Sequence, residues 1–349
     1  MEEDLKEIDD FRDAFQSWCH TNEVTYGIII HHDDNDGLFG ARMVRDWMQQ
    51  TIPVKTIKAD YRNNPANWEE IAHSIAANDG KAIVFVTDYN LPVNGAKLLL
   101  EEQRCETVIW RDHHKSAVDE LDKINLDEEI AKFRLKLDAV VDTSSCGTEL
   151  CYDYIKNYEF FDIRNILPAC MKSSHVKHLV SLIKAYDINL HDRGLDPWYL
   201  NAFTYKAMCT ELDASVITQL LIDESYFNFA LKTGKQFYDL NEQVNEIVYR
   251  CFARVCTFEG YKVCIREGRG SSYSFGDHID EYDAVALYSK LPGDNGWTTS
   301  LFSSKPDFDG IPIASKFGGG GHPHACGWHS ATNPFADLMK VHVTTGGEL

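Results

Sequence analysis

The sequence predicts an α/β protein in which a parallel-sheet domain is joined by a helix to a smaller α/β C-terminal domain. Strand-like apolar runs alternate with helix-like segments through the first 150 residues, a pattern typical of parallel sheets covered by helices on both faces. Three of the strand-like runs lead directly into aspartate or histidine residues. From Cys251 onward, short strands and glycine-rich turns replace this alternation.

The elements of the first domain follow from the spacing of apolar residues. Residues 1–22 carry apolar side chains at helical spacing, and residues 117–137 are charged and either helical or irregular. Strands are predicted at 26–30, 54–57, 82–87, 107–110 and 140–141. Helices are predicted at 38–50, 66–78, 94–103, 147–157 and 176–186.

The remainder of the chain divides into a long helix and a second set of strands. Residues 226–250 contain Gly234 but no other glycine and no proline, which predicts a helix between the two domains. We therefore place the domains at 1–225 and 251–349, with 226–250 as the linking helix. Strands of the second domain are predicted at 262–265, 284–288 and 298–302.

Composition limits the partners that the protein can have. The 349 residues carry a formal net charge of −20, which opposes sequence-independent binding of long nucleic acid but not of small nucleotides. No apolar run approaches the roughly 18 residues of a membrane span. The acidic N-terminus lacks the features of a signal peptide. We expect a cytoplasmic protein that does not contact membranes, and a homodimer is compatible with the sequence.

Three polar clusters stand at the predicted strand ends. The first is His32-x-Asp34-x-Asp36-Gly37, the second is Asp88, and the third is Asp112-His113-His114. The acidic loop alone could be a solvated segment with helix-capping aspartates. Taken together, the clusters predict one metal site, because the carboxyl ends of parallel strands meet at one edge of the sheet. Carboxylate and imidazole ligands without cysteine favour manganese, magnesium or iron over structural zinc, and the histidines favour manganese.

These motifs resemble those of the DHH phosphoesterase superfamily. The first loop is similar to the H-x-D-x-D-G motif of that family, Asp88 to its isolated strand-end aspartate, and residues 112–114 to the triplet that gives the family its name. Residues 317–328 resemble the G-G-G-H-x-x-A-x-G-aromatic signature of the DHH-associated C-terminal domain. The resemblance spans nearly the whole chain, with the motifs in the expected order.

The resemblance implies a site for two ions, Mn²⁺ with Mg²⁺ as the alternative. One ion would be held by His32, Asp34 and Asp88. The other would be held by the bridging Asp88 and by three further ligands, Asp36, His113 and Asp187. For the last ligand, Asp142 is the alternative, although its sequence context suits a helix cap.

The resemblance also implies roles in catalysis and in substrate binding. Asp112 would orient a histidine, and His114 would face the phosphate, unless His114 is a structural histidine bonded to the backbone. In the C-terminal domain, the substrate phosphate would be bound by Gly319, Gly320, Gly321 and His322, unless the glycines only permit tight packing. Relatives often carry an arginine where this chain has Phe302, and the residues that could compensate are Arg266, Arg269 and Lys316.

The activity implied is that of a phosphoesterase that hydrolyses phosphodiester or phosphomonoester bonds of short oligonucleotides or small nucleotides through a metal-activated hydroxide. The alternatives are a RecJ-like single-strand exonuclease, a cyclic-dinucleotide phosphodiesterase, an inorganic pyrophosphatase and a non-catalytic nucleotide sensor. The acidic chain and its compact length favour small substrates.

Overall fold

The fold consists of two compact units, Met1–Phe237 and Tyr238–Leu349. The structure is a computed structural model, and it describes residues 15–61, 64–156, 174–188, 190, 194–208, 213–270 and 272–338, without the side chains at 206–208, 213–215, 277, 294 and 322. The helix Glu224–Phe252 contains the boundary between the two units.

The first unit is built on a five-stranded sheet in which every strand pair is parallel. The spatial order is β2-β1-β3-β4-β5. The strands are β1 Val24–His32, β2 Val54–Ala59, β3 Lys81–Thr87, β4 Cys105–Asp112 and β5 Leu137–Val141. His31 pairs with Thr87, and Thr87 pairs with Arg111, so β1, β3 and β4 end at the same level. The predicted parallel α/β class is confirmed.

Two apolar clusters lie on opposite faces of this sheet, because neighbouring residues of a strand point to opposite faces. One cluster contains Ile29 and Phe85, and the other contains Ile28, Val84 and Trp110. The helices of the unit are Asn35–Met48, Trp68–Ala77, Val93–Glu101, Lys115–Leu126, Gly147–Lys156, Ser174–Asp187, Asp196–Met208 and Asp213–Ile222.

Two of these helices, Asp196–Met208 and Asp213–Ile222, were not predicted. Their apolar residues show weak helical periodicity, which leaves no clear stripe to recognise in the sequence. The predicted helix at 1–22 is helical at residues 15–21, and residues 1–14 lie outside the described part. In the described ranges, no helix combines the length and the apolar character needed to cross a membrane.

The second unit contains a six-stranded mixed sheet in the order β10-β11-β9-β8-β7-β6. Only the β7–β8 pair is parallel among the described pairs of this sheet. The strands are β6 Arg254–Phe258, β7 Tyr261–Glu267, β8 Ala284–Lys290, β9 Trp297–Phe302, β10 Gly320–His322 and β11 Ala325–Ser330. The helix Ile311–Lys316 precedes β10 and packs near it, which gives the expected smaller α/β region.

Gly234 is a point of close contact between two helices of the first unit. A Cβ atom at Gly234 would lie 1.9 Å from the carbonyl oxygen of Tyr199 and 3.2 Å from the Cβ atom of Phe203. We therefore expect Gly234→Ala to lower the free energy of unfolding by about 1–3 kcal/mol, the usual effect of overpacking, despite the better helix propensity of alanine. Chemical denaturation measures this change. Lys232→Ala, at an exposed position of the same helix, is the matched control, and a Gly234→Ala variant as stable as that control contradicts the prediction.

Candidate metal centre

Acidic and imidazole side chains converge at the carboxyl edge of the parallel sheet. Within each of three overlapping groups, the potential ligand atoms lie within 4.8 Å of one another. The groups are Asp88, His113 and His114; His32, Asp34 and Asp88; and Asp36, His113 and Asp187. Asp88 and His113 each belong to two groups, so the three groups form one continuous site.

Asp88 lies at the middle of this site, directly after β3. It is 1% exposed, and its backbone has a φ of 51°, in the left-handed region that few residues other than glycine adopt. Its amide donates a hydrogen bond to the carbonyl oxygen of Arg111 at 2.9 Å. The Oδ1 atom of Asp88 lies 3.1 Å from Nε2 of His113. A strained conformation at a buried carboxylate is typical of functional sites.

The Asp36 carboxylate is held by the N-terminus of the helix Gly147–Lys156. Its Oδ2 atom accepts a hydrogen bond from the amide of Gly147 at 2.5 Å, and its Oδ1 atom accepts one from the amide of Thr148 at 2.8 Å. The Thr148 hydroxyl donates to the carbonyl oxygen of Asp36 at 2.7 Å. A helix N-terminus favours negative charge, so this contact fixes both the position and the orientation of the carboxylate.

His32 and Asp34 form the first edge of the site. Nδ1 of His32 lies 2.7 Å from Oδ2 of Asp34 and 3.8 Å from Oδ2 of Asp88. Oδ1 of Asp34 accepts a hydrogen bond from the amide of Gly37 at 3.0 Å, which caps the helix Asn35–Met48. Asp34 therefore has a capping role in addition to its place beside His32.

Asp112 organises the loop that carries the two histidines. It is fully buried, and its Oδ1 atom accepts hydrogen bonds from the amides of His113 at 2.7 Å and His114 at 3.1 Å. The same oxygen lies 2.7 Å from Nδ1 of His114. Nδ1 of His114 is therefore hydrogen-bonded to a carboxylate and not to the backbone, and this bond directs the opposite ring nitrogen, Nε2, away from Asp112.

Asp187 and Asp142 have different environments. Asp187 ends the helix Ser174–Asp187, and its Oδ2 atom lies 3.3 Å from Nε2 of His113. Asp142 is exposed, and its Oδ1 atom accepts hydrogen bonds from the amide and hydroxyl of Ser144. Asp187 belongs to one of the three groups, and Asp142 belongs to none of the groups found among the described residues.

Burial and mutual repulsion dominate the electrostatics of the carboxylates. Burial, followed by the negative charges of Asp36 and Asp34, raises the pKa of Asp187 to about 8. Burial and neighbouring carboxylates also raise the pKa of Asp36 and hold the pKa of Asp88 well above its ordinary value. Burial is the largest single influence on the pKa of Asp34 and would raise it. The hydrogen bond and charge of His32 and the hydrogen bond from the amide of Gly37 together outweigh burial, and this pKa is lowered to about 2.

Three carboxylate oxygens lack hydrogen-bond partners within the described part of the chain: Oδ2 of Asp88, Oδ2 of Asp112 and Oδ2 of Asp187. Buried, crowded carboxylates are unfavourable unless a cation neutralises them. Oxygen and imidazole atoms without thiolates suit hard or borderline divalent cations. The side chains present therefore fit a divalent metal centre.

An aromatic pair beside the site was missed in the sequence. Tyr61 stacks on Tyr89 with ring centroids 4.6 Å apart, and it is 48% exposed. Its ring centroid lies 5.4 Å from that of His32 and 6.4 Å from that of His114. Tyr61 belongs to no motif, and only the fold brings residue 61 next to residues 89 and 114.

The glycine run of the second unit forms part of a hairpin, because β10 pairs with β11. A Cβ atom at Gly319 would lie 2.1 Å from the carbonyl oxygen of Gly327, and one at Gly321 would lie 2.6 Å from that of Ala325. A Cβ atom at Gly320 would have no neighbour within 4 Å. Close packing therefore accounts for two of the three glycines, whereas Gly320 has open space. The side chain of His322 lies outside the described atoms.

Three basic residues of the second unit could take the place of the arginine that is absent at Phe302, and their surroundings differ. Arg269 donates from Nε to the Ser289 hydroxyl at 3.2 Å, and Lys316 pairs with Glu259. Arg266 is 6% exposed, and its guanidinium carbon lies 5.7 Å from the ring centroid of Phe275. Phe302 packs against the cluster that contains Phe275.

Comparison with known proteins gives matches among solved structures. No protein-family model and no curated protein matches the chain. An exopolyphosphatase-related protein from Bacteroides fragilis is 13% identical, with a TM-score of 0.49 and coverage of 95% of this chain and 94% of that chain. The pGpG-specific phosphodiesterase PggH from Vibrio cholerae is 12% identical, with a TM-score of 0.49 and coverage of 91% and 96%.

RecJ from Thermus thermophilus, in complex with Mn²⁺, is 14% identical, with a TM-score of 0.45. The match covers 91% of this chain and 51% of that chain. At these identities the likeness concerns the fold alone.

Proposed function

We propose that the protein is a divalent-cation-dependent phosphoesterase that hydrolyses ester bonds in short oligonucleotides or small nucleotides. Three groups of potential ligands carry this proposal, because Asp88 links two of them and His113 links two of them. They bring together six predicted ligands: His32, Asp34, Asp36, Asp88, His113 and Asp187. A site for two neighbouring ions requires shared ligands. Asp88 suits that role, because it belongs both to the group with His32 and Asp34 and to the group that contains His113.

We propose the ion assignment that the resemblance implies. His32, Asp34 and Asp88 would hold one ion, and Asp36, His113 and Asp187 would hold the other together with Asp88. Manganese is the ion we propose, because the site offers two imidazoles beside its carboxylates, and magnesium is the alternative. When bound, such ions supply a water of lowered pKa and neutralise phosphate charge.

His114 and Asp112 act together in this proposal. Asp112 accepts the Nδ1–H of His114 and leaves Nε2 available to a phosphate oxygen. Burial is the largest single influence on the pKa of His114 and lowers it. The hydrogen bond with Asp112 and the negative charges of Asp112 and Asp187 together outweigh burial, and the net pKa is raised. The imidazolium form is therefore favoured, and it can stabilise phosphate charge or donate a proton to the leaving oxygen.

In the second unit, the glycine run is the proposed phosphate-binding segment. The open space at Gly320 lets backbone amides approach an anion, which a side chain at this position would hinder. His322 completes this proposed segment. The net charge of −20 agrees with a small substrate rather than a long strand.

A substrate panel tests the proposal. Purified protein is incubated with Mn²⁺ or Mg²⁺ and with dinucleotides, cyclic dinucleotides, 3′-phosphoadenosine 5′-phosphate, longer single strands or pyrophosphate, and the products are identified by mass. We expect metal-dependent release of mononucleotides or phosphate from the small nucleotide substrates. Saturable nucleotide binding without turnover under every condition indicates the nucleotide sensor, and preferential degradation of long strands indicates the RecJ-like exonuclease; either result contradicts the proposal.

A further inference from the structure

Two of the proposed metal ligands, Asp36 and Asp187, are supported by different helices. Oδ2 of Asp36 lies 3.7 Å and Oδ2 of Asp187 lies 3.3 Å from Nε2 of His113, so both carboxylates face the same imidazole. The amides of Gly147 and Thr148 hold the Asp36 carboxylate. Oδ2 of Asp187 has no hydrogen-bond partner among the described residues. The separation of the two carboxylates therefore depends on how the two supporting helices are placed.

An ion pair joins these two helices close to the carboxylates. Nζ of Lys184 donates to Oε2 of Glu149 at 2.6 Å, and the hydroxyl of Ser145 donates to the same oxygen at 2.5 Å. Glu149 lies in the first turn of the helix whose amides hold Asp36. Lys184 lies in the last turn of the helix that ends in Asp187. The pair therefore links the turn that holds one carboxylate to the turn that carries the other.

Both members of the pair are near the carboxylates in the chain. Lys184 precedes Asp187 by three residues, a rise of about 4.5 Å along the helix, so the two side chains are neighbours on the helix surface. Glu149 directly follows Thr148, whose amide donates to Oδ1 of Asp36 at 2.8 Å. The pair is partly buried, so salt screens its attraction less than it would screen a fully exposed pair. The contact can therefore fix the two helix ends relative to each other.

The charges of the pair alone would affect a bound cation in opposite directions. Loss of the Glu149 carboxylate removes a negative charge near the site and would weaken the binding of a divalent cation. Loss of the Lys184 ammonium group removes a positive charge and would strengthen that binding. If the pair instead holds the helix ends in place, loss of either member weakens the binding. The signs of the two effects therefore distinguish a positioning role from a general electrostatic one.

We propose that the ion pair of Glu149 and Lys184 is a positioning device for the metal centre. It sets the separation of Asp36 and Asp187, and thereby the affinity for the ion that these carboxylates would share with His113. Glu149 and Lys184 are positioning residues, since neither belongs to the ligand groups found among the described residues. This inference rests on the proposed function, which places a divalent cation between these carboxylates.

Titration of Mn²⁺ into the metal-free protein, with free Mn²⁺ measured by electron paramagnetic resonance, tests the inference. Asp187→Asn and Asp34→Asn identify the two ions, because each variant removes a ligand of one ion. We expect Glu149→Gln and Lys184→Met each to weaken by about tenfold the binding step that Asp187→Asn weakens, as for loss of a group that supports a metal ligand. The other binding step should change by less than about twofold, since its ligands lie outside this contact.

Three further variants complete the experiment. The double variant with both changes should bind Mn²⁺ as weakly as either single variant, because both changes break the same contact. Lys184→Arg can keep the ion pair and should retain the affinity of the wild type. Lys177→Met, at an exposed lysine near the start of the same helix, removes an equal charge and is the matched control. Circular dichroism checks that each variant is folded.

Tighter or unchanged binding of Mn²⁺ by Lys184→Met overturns the inference, and so does equal weakening of both binding steps. Wild-type protein that binds fewer than two ions overturns the inference together with the proposed ion assignment. If the substrate panel is hydrolysed but Glu149→Gln and Lys184→Met bind Mn²⁺ as the wild type does, the inference alone fails. If the expected binding pattern is found but no substrate of the panel is hydrolysed, the proposed function fails while the positioning role stands.

Discussion

Asp88→Asn is expected to reduce phosphoester hydrolysis by more than about 100-fold, because loss of a residue that merely supports a metal ligand already costs about 10–100-fold. Asp88 lies in two of the three ligand groups, so its removal would weaken both proposed ions. Asparagine is the appropriate replacement, since it retains the shape of the side chain and tolerates the left-handed backbone at φ 51°. Turnover is measured with saturating Mn²⁺, and folding is checked by circular dichroism.

Asp142→Asn is the matched control for this experiment. Asp142 is also an aspartate near a strand end, but it is exposed and outside the three groups. Its variant should keep at least about half of the wild-type turnover, as surface substitutions usually do. Substantial hydrolysis by folded Asp88→Asn would exclude a bridging role for Asp88. Loss of hydrolysis in Asp142→Asn would contradict the placement of Asp142 outside the site.

The second large effect concerns how strongly a bound metal ion stabilises the folded protein at different pH values. The pKa of Asp187 is raised from 3.8 to about 8 in the metal-free protein, with burial as the largest cause. Below pH 3.8 this carboxyl is protonated in both the folded and unfolded chains, and it does not affect stability. Between pH 3.8 and about 8, the unfolded chain ionises while the folded chain retains the proton, so metal-free stability falls as pH rises.

Mn²⁺ should therefore raise the melting temperature more at pH 8 than at pH 5.5. An ion at about 1,000 times its Kd adds about 4 kcal/mol, which corresponds to about 10 °C for a unit of this size. At pH 5.5 protons compete for the same carboxylates, and we expect less than about half of that shift. Scanning calorimetry with and without Mn²⁺ measures both values, and Asp142→Asn again serves as the control. A shift of equal size at the two pH values would show that the buried carboxylates do not bind the ion.

The parallel sheet could be predicted because its central strands β1, β3 and β4 are apolar on both faces and are separated by amphipathic helices. The predicted strand at 82–87 and the observed β3, Lys81–Thr87, differ by one residue. The helices Asp196–Met208 and Asp213–Ile222 could not be predicted, since their apolar residues do not form a distinct stripe. For a helix, apolar periodicity identifies the element only when one of its faces remains in solvent.

The site was partly predictable for a similar reason. Residues at strand ends meet because the strands are parallel, so His32, Asp88 and His113 could be expected to lie together. The support given to Asp36 by Gly147 and Thr148 could not be expected, because it depends on how a helix more than 100 residues away is placed. Tyr61 was missed because it belongs to no motif, and its position follows from tertiary packing alone.

The left-handed backbone at Asp88 limits which amino acids can occupy this position over evolutionary time. Glycine or asparagine would relieve the local strain and the repulsion among buried acids, whereas glutamate would keep the charge but tolerate the backbone poorly. A chain under selection for folding alone would therefore gain by losing the aspartate. Its presence implies that selection has acted on the chemistry of this edge of the sheet at the expense of stability.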